Sequence, residues 1–227
     1  MPELLSVPVP KTVYRVSTVP SVFTYRVRGS GPVWRWDDPL DQYGVLYTAE
    51  SRTAAFVEYF GDLRPSTGML AAMRQIRHDQ PGLHETTVQS GQLLASDLHH
   101  IFIGEALLDE AAAIDVTAAE SVQALHLVLA QELTNAGIAD LGVAVIQGRD
   151  YQVTQTISRF AYEDSNGFAS IRCPSYYGNN LICWSFFEGE KAQLSLRAPA
   201  RPQIITAVDP DDIELRRALD ILNIQLV

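Results

Sequence analysis

Between Trp34 and Phe60 the chain reads WRWDDPLDQYGVLYTAESRTAAFVEYF, and this stretch prescribes three structural states in succession. Asp37-Asp38-Pro39 is turn-forming, because proline fixes its own backbone and aspartate folds its side chain back on neighbouring amides. Gly44 to Ala49 is apolar almost throughout, the pattern of a buried strand. Ser51 then offers a cap for a helix. On that helix Ala54, Ala55 and Glu58 lie on adjoining ridges. The small alanines let the helix approach a sheet closely and turn Glu58 toward a cleft. A loop, a strand and a helix thus deliver Arg35, Tyr47 and Glu58. The arginine fork suits a phosphate, and a carboxylate stabilises a sugar cation as a glycosidic bond breaks. The residues alone leave plainer readings open. An arginine between tryptophans is often a surface cation–π contact, and a helical glutamate is often a solvated face.

Composition bounds the rest. The chain has 227 residues and 47% hydrophobic content, which suits one domain, residues 1–227, with room for a sizeable insertion. The net charge is −10 and no basic stripe appears, which argues against direct nucleic-acid binding and against an anionic membrane surface. No window approaches the roughly 20 apolar residues of a membrane span. The opening MPELLSVPVPKTVYRV has neither a basic start nor a long apolar run, so a cytoplasmic protein is expected. The two cysteines, Cys173 and Cys183, flank a turn. They read as reduced core thiols, although a bridge between adjacent strands is geometrically allowed.

Along the chain, Thr12 to Val16 alternates as a strand, with Tyr14 and Val16 on one face and Arg15 on the other. Phe23 to Arg28 reads as a second extended piece. Gly29 to Pro32 is a turn and lacks the third glycine of a dinucleotide fingerprint. Residues 63–147 read as an insertion or family-variable segment, with a helix expected around Met69 to Ile76. His99-Ile101-Ile103 begins an alternating run. Thr117 to Glu120 has the form of a capping box opening a long helix with Val122, Leu125, Leu129 and Leu133 on one stripe and Gly137 past its end. Asp150 caps a helix to Tyr162, and Asp209-Pro210 is expected to start the last one. Strands and helices mix without a regular βαβ rhythm, which points to α+β. The five histidines show no metal-ligand spacing, so no metal is expected. Neither a nucleophile elbow nor a P-loop is present. Ser175, after Pro174, reads by itself as a turn residue with no base nearby.

Several of these pieces together resemble the RES domain family. The matching residues are Tyr14-Arg15 in VYRV, Arg35 to Pro39, the strand Tyr43 to Tyr47, Thr53 to Glu58 in TAAFVE, and Pro174-Ser175 in GFASIRCPS followed by Leu181 to Phe187. Their order and spacing are more specific than any one of them. The resemblance implies an ADP-ribosyltransferase-like fold, a split and bent mixed or antiparallel sheet flanked by helices. It implies a bacterial NAD-degrading enzyme, a glycohydrolase or a phosphorylase, acting as the toxin of a toxin–antitoxin pair. NAD would be substrate, inorganic phosphate a co-substrate, and no cofactor or metal is called for. Glu58, Arg35 and Tyr47 become the catalytic candidates. Arg15 and Arg35 become pyrophosphate ligands, Tyr47 packs on the nicotinamide, and Ser175 helps fix it. An antitoxin is the expected partner, and a homo-oligomer stays open. The alternatives are an ADP-ribosyltransferase acting on a protein and a non-catalytic partner-binding domain.

Overall fold

In the computed structural model, residues 3–25, 28–29, 31–68, 70–71, 91–189 and 203–227 are described. The helix expected around Met69 to Ile76 falls largely outside them. The chain forms β1 (Ser6–Pro8), β2 (Thr12–Ser17), β3 (Val45–Ala49), α1 (Arg52–Phe60), β4 (Gln92–Leu93), β5 (Phe102–Leu107) and β6 (Ala112–Asp115). It continues through α2 (Ala119–Val128), α3 (Ala130–Asn135), α4 (Val143–Gln147), α5 (Tyr151–Glu163), β7 (Ser170–Ser175) and β8 (Gly178–Phe187). β9 (Ile204–Ala207), α6 (Ile213–Leu222) and β10 (Gln225–Leu226) complete it.

Eight strands make one mixed sheet in the order β1-β6-β7-β8-β3-β2-β5-β9, while β4 and β10 form a small parallel pair. Within the large sheet β6 and β7 run parallel and the other neighbours antiparallel. The sheet is nearly split at its centre. β2 and β3 share a single register pair, Tyr14 with Ala49, whereas β3 pairs with β8 from Val45 to Ala49 and β2 with β5 from Thr12 to Ser17. The expected mixed sheet flanked by helices is therefore present, with its two halves diverging beside β3.

Strand alternation sorts the side chains. Tyr43, Val45, Ile114, Ile171, Cys173 and Phe187 face α2, α3 and α5 in one core. Val13, Leu46, Ala106, Ala113, Trp184 and Phe186 face the other way, into a smaller core. On the other half, Val16 and Ile103 join α1 and α6. Tyr14 packs with Val16 and Val13 on the reverse, as the period of β2 requires. Ser51 caps α1 by accepting the Ala54 N–H at 3.1 Å, and Asp150 caps α5 through Gln152.

Several expectations change. Phe23–Tyr25 forms no strand. The long helix is two, broken at Leu129 (φ −97°, ψ 19°), although Leu125, Leu129 and Leu133 still share a core stripe. Thr117 is not its cap. Asp115 Oδ1 takes both the Thr117 N–H and its hydroxyl, at 3.1 and 2.9 Å, so the threonine oxygen faces away from the helix start. Asp212, not Asp209, caps α6, accepting from Glu214 and Leu215; Asp209 instead holds the Asp211 N–H of the preceding turn. The stretch 63–147, read as an insertion, contributes β5 and β6 to the interior of the large sheet. That part of it is structural framework.

α1 is held from behind by α6. Arg52 pairs with Asp212 and Thr53 donates to Glu214, while Leu215, Ala218, Leu219 and Leu222 fill the space between the helices. Leu215 is fully buried. Leu215→Ala is expected to cost about 3 kcal/mol, the transfer loss plus a cavity, and to lower the urea midpoint without changing the slope.

Candidate active site

The loop before β3 is folded by its two aspartates. Asp37 Oδ2 accepts the N–H groups of Val33 and Trp34, both at 2.9 Å. Asp38, also buried, accepts those of Leu40 and Gln42 and pairs with Arg159 of α5 at 3.4 Å. One carboxylate therefore closes the turn before Pro39 and the other the turn after it. The Tyr47 hydroxyl joins this loop to the sheet. It accepts the Trp36 N–H and donates to Asp37 Oδ1, each at 2.9 Å. Burial, and then the charge of Asp37, holds the Tyr47 phenol well above its usual range, so it stays a donor. Ser158 adds a second tie, donating to Trp36 O at 2.6 Å while accepting from Tyr43.

Arg35 is thereby aimed across the face of β3. Its Nη2 donates to the carbonyls of Gln147 and Gly148, at 3.1 and 3.3 Å, where α4 ends, and its guanidinium lies 5.9 Å from the Tyr151 ring centre. On β2, burial lowers the pKa of Arg15 against a smaller opposing effect of Tyr47, and its Nη1 donates to the Thr24 carbonyl at 3.5 Å. Neither arginine has a carboxylate partner among the described residues.

Glu58 lies on the solvent-exposed side of α1, and the Ser175 hydroxyl donates to its Oε1. Ser175 Oγ in turn accepts the Tyr177 N–H at 3.0 Å. A hydroxyl has a single proton and two lone pairs, so Ser175 gives its proton to the Glu58 carboxylate while a lone pair takes the Tyr177 N–H. Register brings the thiols to the same place. Ala49, Cys183 and Cys173 lie side by side across β3, β8 and β7. Both cysteines are free. Burial pushes the Cys173 thiol up to about 12, against a smaller downward pull from Arg35. Burial, then Glu58, raises Cys183 further above its ordinary value. Both remain thiols at neutral pH and lack the thiolate a nucleophile needs.

Of the residues singled out in the sequence, Ser175 and Glu58 are in contact and Tyr47 holds the loop that carries Arg35, while Arg15 stands on β2 with the Thr24 carbonyl as its partner. Two of their hydroxyls have partners within the protein. The Ser175 hydroxyl is given to Glu58, and the Tyr47 hydroxyl holds the Arg35 loop, leaving only its half-buried ring to meet a ligand. Asp37, Tyr177 and the cysteine pair were not anticipated at the site. Asp37 was signalled by the Asp-Asp-Pro turn, and the cysteines by lying on either side of the β7–β8 turn.

The site residues thus comprise a carboxylate with a fixed donor, two arginines without acidic partners among the described residues and a partly exposed aromatic ring. The RES domain model matches residues 12–206, and the chain belongs to the RES domain family. Among solved structures it is similar to a chain of the "Crystal structure of the M.tuberculosis MbcT-MbcA toxin-antitoxin complex", at 18% identity over 89% of this chain and 87% of that one, with a TM-score of 0.47. No curated protein matches it. Among the described residues no helix is long and apolar enough to cross a membrane, and no group of three or more His, Cys, Asp or Glu could hold a metal ion.

Tyr47→Phe leaves the Trp36 N–H and Asp37 without their shared partner, at an expected cost of about 1–3 kcal/mol in urea unfolding. The thiols give a second test. Folding raises their proton affinity, so their contribution to stability is complete below about pH 9, the ordinary thiol value, and is lost as pH rises from there toward 12. Native protein at about pH 8 should resist a thiol reagent and label at both cysteines only on unfolding. Fast native labelling would contradict the raised values.

Proposed function

We propose that this chain cleaves the bond between nicotinamide and ribose in NAD. The observation that carries the reading is the Ser175–Glu58 pair facing a cleft with Arg15 and Arg35. The oxidised nicotinamide ring is positively charged and leaves as neutral nicotinamide, taking the electron pair of the glycosidic bond. The ribosyl centre is left with positive charge. Glu58, its carboxylate oriented by Ser175, stabilises that charge as it develops. Arg15 and the free edge of Arg35 hold the pyrophosphate. The exposed part of the Tyr47 ring packs against the nicotinamide. Water adds at the vacated carbon to give ADP-ribose and a proton, or inorganic phosphate adds to give the 1-phosphate. Membership of the RES family supports this chemistry and supports a toxin role in which an antitoxin protein covers the cleft.

Purified protein incubated with NAD, with and without phosphate, should release free nicotinamide, and the sugar product identifies the acceptor. NAD that survives at high protein concentration under both conditions would remove the reading, and labelled ribose found on a protein would favour transfer. Glu58→Gln keeps the size and one acceptor oxygen but removes the charge. It is expected to lower kcat about a hundredfold or more while KM and the melting temperature stay close to wild type, because the charge matters most in the transition state. Near-normal turnover would show that Glu58 is a solvated helix face.

A further inference from the structure

We propose that Arg149 and Tyr176 form a separate subsite for the adenylate half of the dinucleotide, beyond the residues that hold the reacting half. The inference rests on the NAD reading above. Arg149 lies in the short connection between α4 and α5, and its guanidinium sits over the Tyr176 ring at 4.9 Å. Tyr176 is in the turn joining β7 to β8, next to the Ser175–Tyr177 unit that orients Glu58. The neighbouring Tyr177 phenol feels Glu58, Asp62, Arg149 and Tyr176 together. Arg149 therefore belongs to the same electrostatic neighbourhood as the proposed catalytic carboxylate.

The described arginines of this acidic chain fall into three groups. Arg28, Arg52, Arg159, Arg172 and Arg216 each pair with a carboxylate. Arg15, Arg35 and Arg149 gather around the cleft and have no carboxylate partner among the described residues. Arg64 and Arg217 are also unpaired, at exposed positions. Asp150, adjacent to Arg149, gives its carboxylate to the Gln152 N–H instead. What distinguishes Arg149 from a surface arginine is how it is held. Gln147 donates to Asn179 Oδ1 at 3.0 Å, tying its loop to the β7–β8 turn, and Arg35 binds the Gln147 and Gly148 carbonyls from the other side.

Stacking on tyrosine holds the guanidinium plane and leaves its N–H edge free, the geometry that takes phosphate oxygens bidentately. Tyr176 is 50% exposed, so an aromatic surface is open beside the cation, suited to a stacked base. The start of α5 adds a favourable helix potential for an anion. A phosphate on Arg149 with a purine on Tyr176 matches an adenylate.

The test uses ADP, NAD and nicotinamide mononucleotide as probes, with wild type, Arg149→Met, Arg149→Lys and Tyr176→Ala. Because both positions are exposed, melting temperatures should stay within error of wild type. Arg149→Met should weaken ADP binding in calorimetry about tenfold, with Arg149→Lys between it and wild type and Tyr176→Ala comparably weak. The preference for NAD over nicotinamide mononucleotide, as a ratio of kcat/KM, should fall by a similar factor. NAD cleavage with ADP affinity and substrate preference unchanged in Arg149→Met would overturn the subsite and leave the catalytic reading standing. ADP binding that depends on Arg149, in a protein that does not cleave NAD, would uphold the subsite and remove the catalytic reading. A wild type that neither binds ADP nor cleaves NAD would overturn both.

Discussion

The placement of Arg35 depends on one hydroxyl. Tyr47 Oη takes the Trp36 N–H and gives its proton to Asp37, and through Asp37 it also fixes the Val33 and Trp34 amides. Without that group the loop would have to satisfy a buried carboxylate and a buried amide separately. An unsatisfied buried polar group costs about 1–3 kcal/mol, so the loop is strongly biased to one conformation. Trp34 and Trp36 flank Arg35 directly, Trp36 held by Tyr47 of β3 and Trp34 by Asp37, which Tyr47 also holds. The guanidinium therefore inherits the rigidity of the strand although it sits in a loop. Asp38 and Arg159 extend the same frame to α5.

The carboxylate side of the cleft is built differently. Glu58 rides on a helix that α6 braces from behind, and its orientation comes from Ser175, on the other half of the sheet. The two halves share one register pair, Tyr14 with Ala49, so the Ser175–Glu58 contact also closes the gap between them. The site spans the seam of the sheet, with Arg15 on one bank and Tyr47 on the other. Such a seam provides a concave space without a hole in the core, because the strands stay fully paired away from it.

Much of this was legible in the sequence because the decisive signals are local. Ser51, the apolar run of β3 and the Asp-Asp-Pro turn each act within a few residues, and all three formed as read. What misled was chemistry shared between neighbours. Thr117 has the right spacing for a capping box, but Asp115 stands two residues before it and takes its hydroxyl proton. Asp209-Pro210 has the form of a helix start, yet Asp212 holds two amides at once and sets the start later. The role of Ser175 was hidden for another reason. Its proton goes to Glu58 while a lone pair takes the Tyr177 N–H, and the second contact depends on the tight turn into β8. The part of 63–147 that joins the sheet was obscured by the broken, polar stretch that precedes it.

Two kinds of acid meet at this site, and their environments separate their roles. Cys173 is buried in the core that faces α2, α3 and α5, with Cys183 partly buried beside it, and loss of solvent raises both thiols. Glu58, one side chain away, keeps an exposed face and a donor from Ser175. The same division holds for the cations. Arg159 and Arg172 each meet a carboxylate, which cancels their field locally. Around the cleft Arg15 and Arg35 meet carbonyls, and Arg35 also an aromatic ring. Those partners fix position without neutralising charge. In a protein of net charge −10, Arg15 and Arg35 thus keep positive charge that no carboxylate among the described residues neutralises.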